Sequence, residues 1–341
     1  MKKTLLLLSV LLLAVGFAFA GGSQETKAAD NGAYKIALII ENTIDDKGWC
    51  QAMHEGIVEA QKQLPGKIEY NYSEKLKPVD ASSIARQYVA DGYDLIIAHG
   101  AQYKNMIVEL AEENPNVSFA FGTSADIVGS NVFTYMPESE ETGYLSGLLA
   151  GLLTKTNTVG LVGPVDGGDA ARYNRGFVLG VQKVNPSAKI LVAHTGSFSD
   201  FVKAGELATS QMKSGADVLT GSSQQAIGAL RAVSEFPGVL WLGQDLAQLT
   251  TQEGKDRCIA ASAYNYAAVI VGLVEKLDAG VKGGECIPMN FNNNGFVFEY
   301  NPALEGKVTA DMKKVVEDAL AEFRAKQGVL ANWSKVDYTT L

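Results

Sequence analysis

The chain holds only three cysteines and three histidines in 341 residues. Cys50, Cys258 and Cys286 are odd in number, far apart and without a C-x-x-C, so they signal neither a zinc site nor a disulfide framework. One bridge, Cys258 to Cys286, is compatible with an oxidising compartment, and buried free thiols are the alternative. His54, His99 and His194 are scattered, with no paired Cys or Glu, which argues against a catalytic metal. No G-x-x-x-x-G-K-[ST] is present to cradle phosphate. Nor is there a G-x-S-x-G or any Ser marked by a His base, so nothing announces a nucleophilic hydrolase. Positive charge is short as well. The formal net charge is −9, or −11 once the +2 of Lys2 and Lys3 is set aside (−9 − 2). Without clustered Lys and Arg, nucleic acid and anionic membrane surfaces are poor partners.

Residues 1–20 read as a cleavable secretory signal peptide. Lys2 and Lys3 form the basic region, 5–15 the apolar stretch, and Ala18-Phe19-Ala20 the small-x-small cleavage site. The apolar run is short for a membrane span. No cysteine follows the cleavage site, so the usual lipoprotein attachment residue is absent and a bacterial periplasm is the expected destination. Residues 21–33 are small and polar, a flexible leader. The 308 residues beyond it (341 − 33) are enough for two lobes, each with a core.

Short apolar runs alternate with amphipathic stretches along the chain. Strands are expected at 34–40, 68–72, 95–98, 118–122 and 132–135, and again at 159–162, 190–194, 218–219, 239–242 and 259–263. Helical patterns fall between them, and a tail strand (295–300) and helix (310–326) finish the chain. Strand–helix alternation means βαβ units, and doubly apolar runs such as LIIA (95–98) suit strands covered on both faces. The fold class is therefore α/β, with two doubly wound parallel-sheet lobes joined by a hinge of several crossings. The small-rich stretch 138–153 marks the first crossing. One lobe is expected over 34–137 plus about 264–295, the other over 138–263 plus about 296–341.

In such folds ligands bind outside the carboxyl ends of the strands. Those ends carry Asp46, Trp49 and Gln51 after the first strand, His99 and Tyr103 after the third, and Thr123 after the fourth. The second series carries Phe198 and Asp200, then Ser222, then Asp245. Rings, amides, hydroxyls and carboxylates with few fixed cations suit a flat, uncharged, hydrogen-bonding ligand: rings stack on its faces while polar groups read its edges.

The stretches DDKGWCQAMHEG (45–56), ETGYLSGLLAGLL (141–153), GFVLGVQKVNP (176–186), GSFSDFVKAGELATSQMKSGADVL (196–219) and GQD (243–245) resemble the basic-membrane-protein (Bmp, PnrA-like) family of ABC-transporter substrate-binding proteins. The resemblance covers essentially the whole chain beyond the leader. It implies a type I periplasmic-binding fold, closure of two lobes around the ligand, and a permease with a cytoplasmic ATPase as partner. It also implies a purine base or nucleoside as ligand, or riboflavin in a related branch. On this resemblance Asp46 is a ligand-facing acid, Trp49 stands where Phe is usual, Phe198 is the stacking partner on the opposite lobe, and Asp245 meets ribose or a base edge. Gly122-Thr123 replaces the family's fourth-strand Asp, and Asn265 stands near the place of its Lys; both departures favour a bare base over a nucleoside.

The expectation is thus a monomeric, non-catalytic, cofactor-free binding component of an importer. Alternatives are a riboflavin- or sugar-binding protein of the same fold, a protein that presents ligand to a sensor, and an exported nucleoside hydrolase using Asp45 and Asp46. A repressor of this fold is excluded by the signal peptide and by the lack of an N-terminal helix-turn-helix.

Overall fold

Runs such as Leu95–Ala98 have no accessible surface on either face, and such strands are stable only between two helical layers. The computed structural model describes residues 32–46 and 48–338. The expected signal peptide, most of the leader, Lys47 and the last three residues lie outside the described residues.

Twelve strands are described: β1 Tyr34–Ile39, β2 Ile68–Ser73, β3 Leu95–Ala98, β4 Ser118–Gly122, β5 Val132–Pro137, β6 Thr158–Gly163, β7 Lys189–His194, β8 Val218–Gly221, β9 Leu240–Gly243, β10 Cys258–Tyr264, β11 Glu285–Met289 and β12 Phe296–Tyr300. The helices are α1 Trp49–Gln63, α2 Pro78–Ala90, α3 Lys104–Glu113, α4 Glu140–Leu153, α5 Gly168–Val184, α6 Phe201–Lys213, α7 Ala226–Ser234, α8 Tyr266–Asp278 and α9 Ala310–Ala325.

The strands form two six-stranded sheets, ordered β11-β5-β4-β3-β1-β2 and β12-β10-β9-β8-β6-β7. Every pair is parallel except β10 with β12. Both cores therefore share one winding, in which the order reverses between β1 and β3 and between β6 and β8. At such a reversal the connecting loops leave in opposite directions and open a crevice at the strand ends. The chain changes sheet between β5 and β6, between β10 and β11, and between β11 and β12. Strand β11 (ECIPM) has no sequence signal of its own: it lacks an apolar run and contains Pro288, which an edge strand tolerates.

The small-rich stretch after β5 becomes α4, and its glycines have a packing reason. A Cβ on Gly143 or Gly147 would lie 2.1 Å from the carbonyl oxygen of Tyr173 or Phe177 on α5. Reciprocally, one on Gly176 would lie 2.1 Å from Glu140 O, and one on Gly180 2.2 Å from Tyr144 O. The two helices meet backbone to backbone.

Cys50 and Cys258 are buried and all three thiols are free. The bridge considered above does not form, because Cys258 lies on β10 in one sheet and Cys286 on β11 in the other.

Candidate functional site

Strand β1 ends in a loop whose acid works on the backbone. The Asp46 carboxylate accepts from the N–H groups of Gly48 (3.0 Å), Cys50 (3.3 Å) and Gln51 (3.1 Å), so it caps α1 and meets its positive end. The cap sets Trp49 at the first helical position, where the β1 loop faces the end of β3.

There Trp49 lies flat on His99, with ring centroids 4.2 Å apart and planes 8° from parallel. Its indole N–H donates to His99 O (3.3 Å). The histidine is fully committed. Its Nε2 faces the Trp49 carbonyl at 3.1 Å, which can only accept, and its Nδ1 lies 2.6 Å from the Tyr135 hydroxyl. Nε2 therefore carries the hydrogen and Nδ1 accepts from Tyr135. Burial pushes the imidazole down to about 3, so the ring is neutral. Tyr264 and Tyr266 meet Trp49 at right angles, with centroids 5.2 and 5.7 Å away.

Trp49, His99 and Tyr264 line a cavity of about 780 Å³ between the two sheets' loop ends. Carboxylates come from Glu41, Asp169 and Asp245, and amides from Asn42, Gln102, Gln224, Gln244 and Gln248. The aromatic lining is Trp49, His99, Tyr264, Phe198 and Phe201. Among the described lining residues there is no Lys or Arg, so phosphate has no cationic partner here.

A hydrogen-bonded chain crosses the second wall. The Tyr264 hydroxyl donates to Asp169 (2.7 Å) and accepts from the Gln244 amide (3.2 Å), while the Gln244 carbonyl accepts from Ser223 N (3.0 Å). Asp169 sits in the first turn of α5, where burial raises its carboxyl and the Tyr264 bond lowers it. Two lining residues, Thr123 (φ +57°) and Ser223 (φ +64°), hold left-handed backbone. For the β-branched Thr123 this is a strained conformation of the kind that gathers at binding sites. The loops of the two sheets touch at Gly48, where a Cβ would lie 3.1 Å from Gln224 Cβ.

Of the residues expected at the site, Trp49, His99, Thr123, Phe198 and Asp245 line this cavity together. The others do not line it. Asp46 caps the helix instead. Gln51 lies in the first turn of α1 and donates to Glu55 (2.7 Å). Tyr103 is fully buried with its hydroxyl on Leu76 O. Asp200 caps α6 by accepting from Lys203 N (2.9 Å). Ser222 is fully buried and donates to Asn174 (3.1 Å); its neighbour Ser223 takes the cavity position. Asn265 precedes α8 and lines a separate cavity of about 470 Å³ with Phe291, Phe296 and Arg324. The ring stacked directly on Trp49 is His99, and Phe198 lines the same cavity half-exposed.

The cavity also takes Glu41, Asp169, Gln244 and Tyr264, which are not among the expected site residues although Gln244 lies in the GQD stretch. Each follows or ends a strand, so strand-end position was the available signal; which neighbour turns inward was not.

Two wound α/β halves around a cavity lined from both define a bilobed solute-binding protein. The chain belongs to the Bmp family, described as ABC transporter substrate-binding protein PnrA-like, whose model matches residues 33–323. It is 31% identical over 228 residues to the CD4+ T-cell-stimulating antigen of Listeria innocua, a match spanning 64% of either chain. The ABC transporter nucleoside-binding protein BmpA of Lactococcus lactis is 25% identical over 318 residues, 86% of this chain and 91% of that protein. In structure it is similar to an ABC transporter solute-binding protein from Conexibacter woesei, with TM-score 0.71, 23% identity, and coverage of 86% of this chain and 97% of the other. No helix among the described residues is long and apolar enough to cross a membrane.

Proposed function

We propose that this chain is the periplasmic substrate-binding component of an ABC importer that captures a flat, donor-bearing heterocycle, a purine base or nucleoside, between its two lobes. The observation that carries the reading is the Trp49 wall. A large ring pre-stacked on His99 and fixed by Tyr264 and Tyr266 offers a rigid apolar plate beside carboxylates and amides, with no described cation lining the cavity. The Lactococcus relative, named an ABC transporter nucleoside-binding protein, supports the same ligand class. The protein acts as a monomer without catalysis: ligand draws the lobes together, and the closed form engages an inner-membrane permease. Export through residues 1–20 releases a mature chain beginning at Gly21.

Calorimetry with adenine, hypoxanthine, inosine, guanosine, riboflavin and glucose tests the ligand. The expected result is micromolar or tighter binding of a purine. Binding of glucose with no purine better than millimolar would sink the reading. Intact mass of the exported protein tests the cleavage site.

A further inference from the structure

The cavity's three acids are not equivalent. Glu41 is exposed and accepts from the Gln102 amide (2.9 Å). Asp245 accepts from Ala247 N (2.7 Å) and so caps the short turn Leu246–Leu249. Asp169 is only 8% exposed yet lines the cavity. Arg172 stands three residues further along α5 but is committed elsewhere: its guanidinium pairs with Glu140 and Glu138 and lies 4.8 Å above the Trp333 ring. A buried carboxylate without a cation needs hydrogen-bond donors, and it accepts at both oxygens. The Tyr264 hydroxyl donates to Oδ2, and the backbone N–H groups of Asp169 and Ala170 at the start of α5 also donate to this carboxylate, whose residue lines the cavity.

We propose that Asp169 is the specificity-determining acid of this site, accepting a hydrogen bond from an N–H edge of the ligand that Trp49 holds by its face. Tyr264 is the positioning residue: one side of it holds the Asp169 carboxylate, and its ring packs edge-on with Trp49, so the edge reader and the stacking plate share one support. A ligand presenting a donor satisfies the buried acceptor. An isostere without that donor leaves it unpaired, which is the strongest form of discrimination a small site has. The inference rests on the heterocycle reading above.

The test is calorimetry of adenine binding to the wild type, Asp169→Asn and Tyr264→Phe between pH 4 and 8, with melting temperatures recorded. Asp169→Asn, which removes the charge and half the acceptor capacity, is expected to weaken adenine at least tenfold. It should also reduce the wild type's preference for adenine over its donor-deleted relatives, purine and 9-methyladenine. Wild-type affinity should fall as the pH drops through the Asp169 titration, and the Asn variant should lose that component; adenine's own titration is common to both. The titratable and charged groups facing Asp169 are Tyr264, Tyr266 and Arg172, with Glu41, Asp245 and the neutral His99 around the cavity. Removing the Tyr264 hydroxyl takes away a bond that lowers the Asp169 carboxyl, so in Tyr264→Phe the acid limb must move to higher pH. An Asn variant with wild-type affinity and pH profile overturns the assignment while leaving the heterocycle reading intact. Should that variant fail to fold, an unshifted acid limb in Tyr264→Phe overturns it instead. A wild type that binds no purine overturns the heterocycle reading and this assignment with it.

Discussion

At the residue scale the decisive contact is the Trp49–His99 stack. It costs the free protein nothing on binding, because His99 already has both nitrogens bonded and the indole N–H is tied to the same loop. Base–aromatic stacking is worth about 1–3 kcal/mol per ring. Trp49→Ala is therefore expected to weaken purine affinity roughly tenfold or more, read by calorimetry. Phe198→Ala should cost less, since that ring is 47% exposed. Asp46 shows how far a short motif can be read. The acid near Trp49 reads as ligand-facing, and the same composition serves a helix cap, because a carboxylate three residues before the first helical residue meets free N–H groups at once. The cap still contributes to the site by aiming the ring.

At the element scale, α4 and α5 are the seam of the second lobe. Their glycines allow a separation that no side chain would permit, and the sequence announces it as small residues recurring three and four apart. A methyl group at Gly147 would meet the Phe177 carbonyl oxygen 2.1 Å away, so the helices must part. Gly147→Ala is expected to destabilise by about 1–3 kcal/mol, seen as a lowered Tm. The strands were legible for a related reason: burial on both faces forces continuous apolar runs, and β1, β3, β4 and β6 are buried along nearly their whole length. Strand β11 was not legible, since it pairs at an edge and carries proline.

At the scale of the whole molecule, two contacts matter, one between the loops of the two sheets and one near the crossings. The loops of the two sheets meet where Gly48 faces Gln224. Gly48→Ala should hold the lobes a few tenths of an ångström apart and weaken ligand binding several-fold, with the Tm of the unliganded protein nearly unchanged; scattering would show a smaller ligand-induced contraction. Near the crossings, the Glu141 carboxylate accepts from Phe291 N (2.9 Å), joining α4 to the chain between β11 and β12. Burial pushes this carboxyl up to about 8, with Glu138 and Glu140 adding to the rise. The folded value lies above the unfolded one, so folding takes up a proton between them. That stabilisation is complete below the ordinary glutamate range and is lost as pH rises toward about 8. Glu141→Gln removes the titration. The wild-type Tm should therefore fall relative to the Gln variant as pH is raised from 5 to 8, and a constant difference would refute the linkage.

The sequence by itself determined the two-lobed α/β winding, the small-rich helix that follows the first sheet and the strand-end location of the cavity. Each rests on periodicity and residue size, which act locally and repeat many times along the chain. Only the tertiary structure decided which residue near a strand end turns inward, Ser223 and not Ser222, Asp169 and not Asp166, and that His99 is the ring lying on Trp49. Those choices depend on single backbone angles and on partners a hundred residues away. The Tyr264–Asp169 bond spans 95 positions of chain, and no local pattern can encode it.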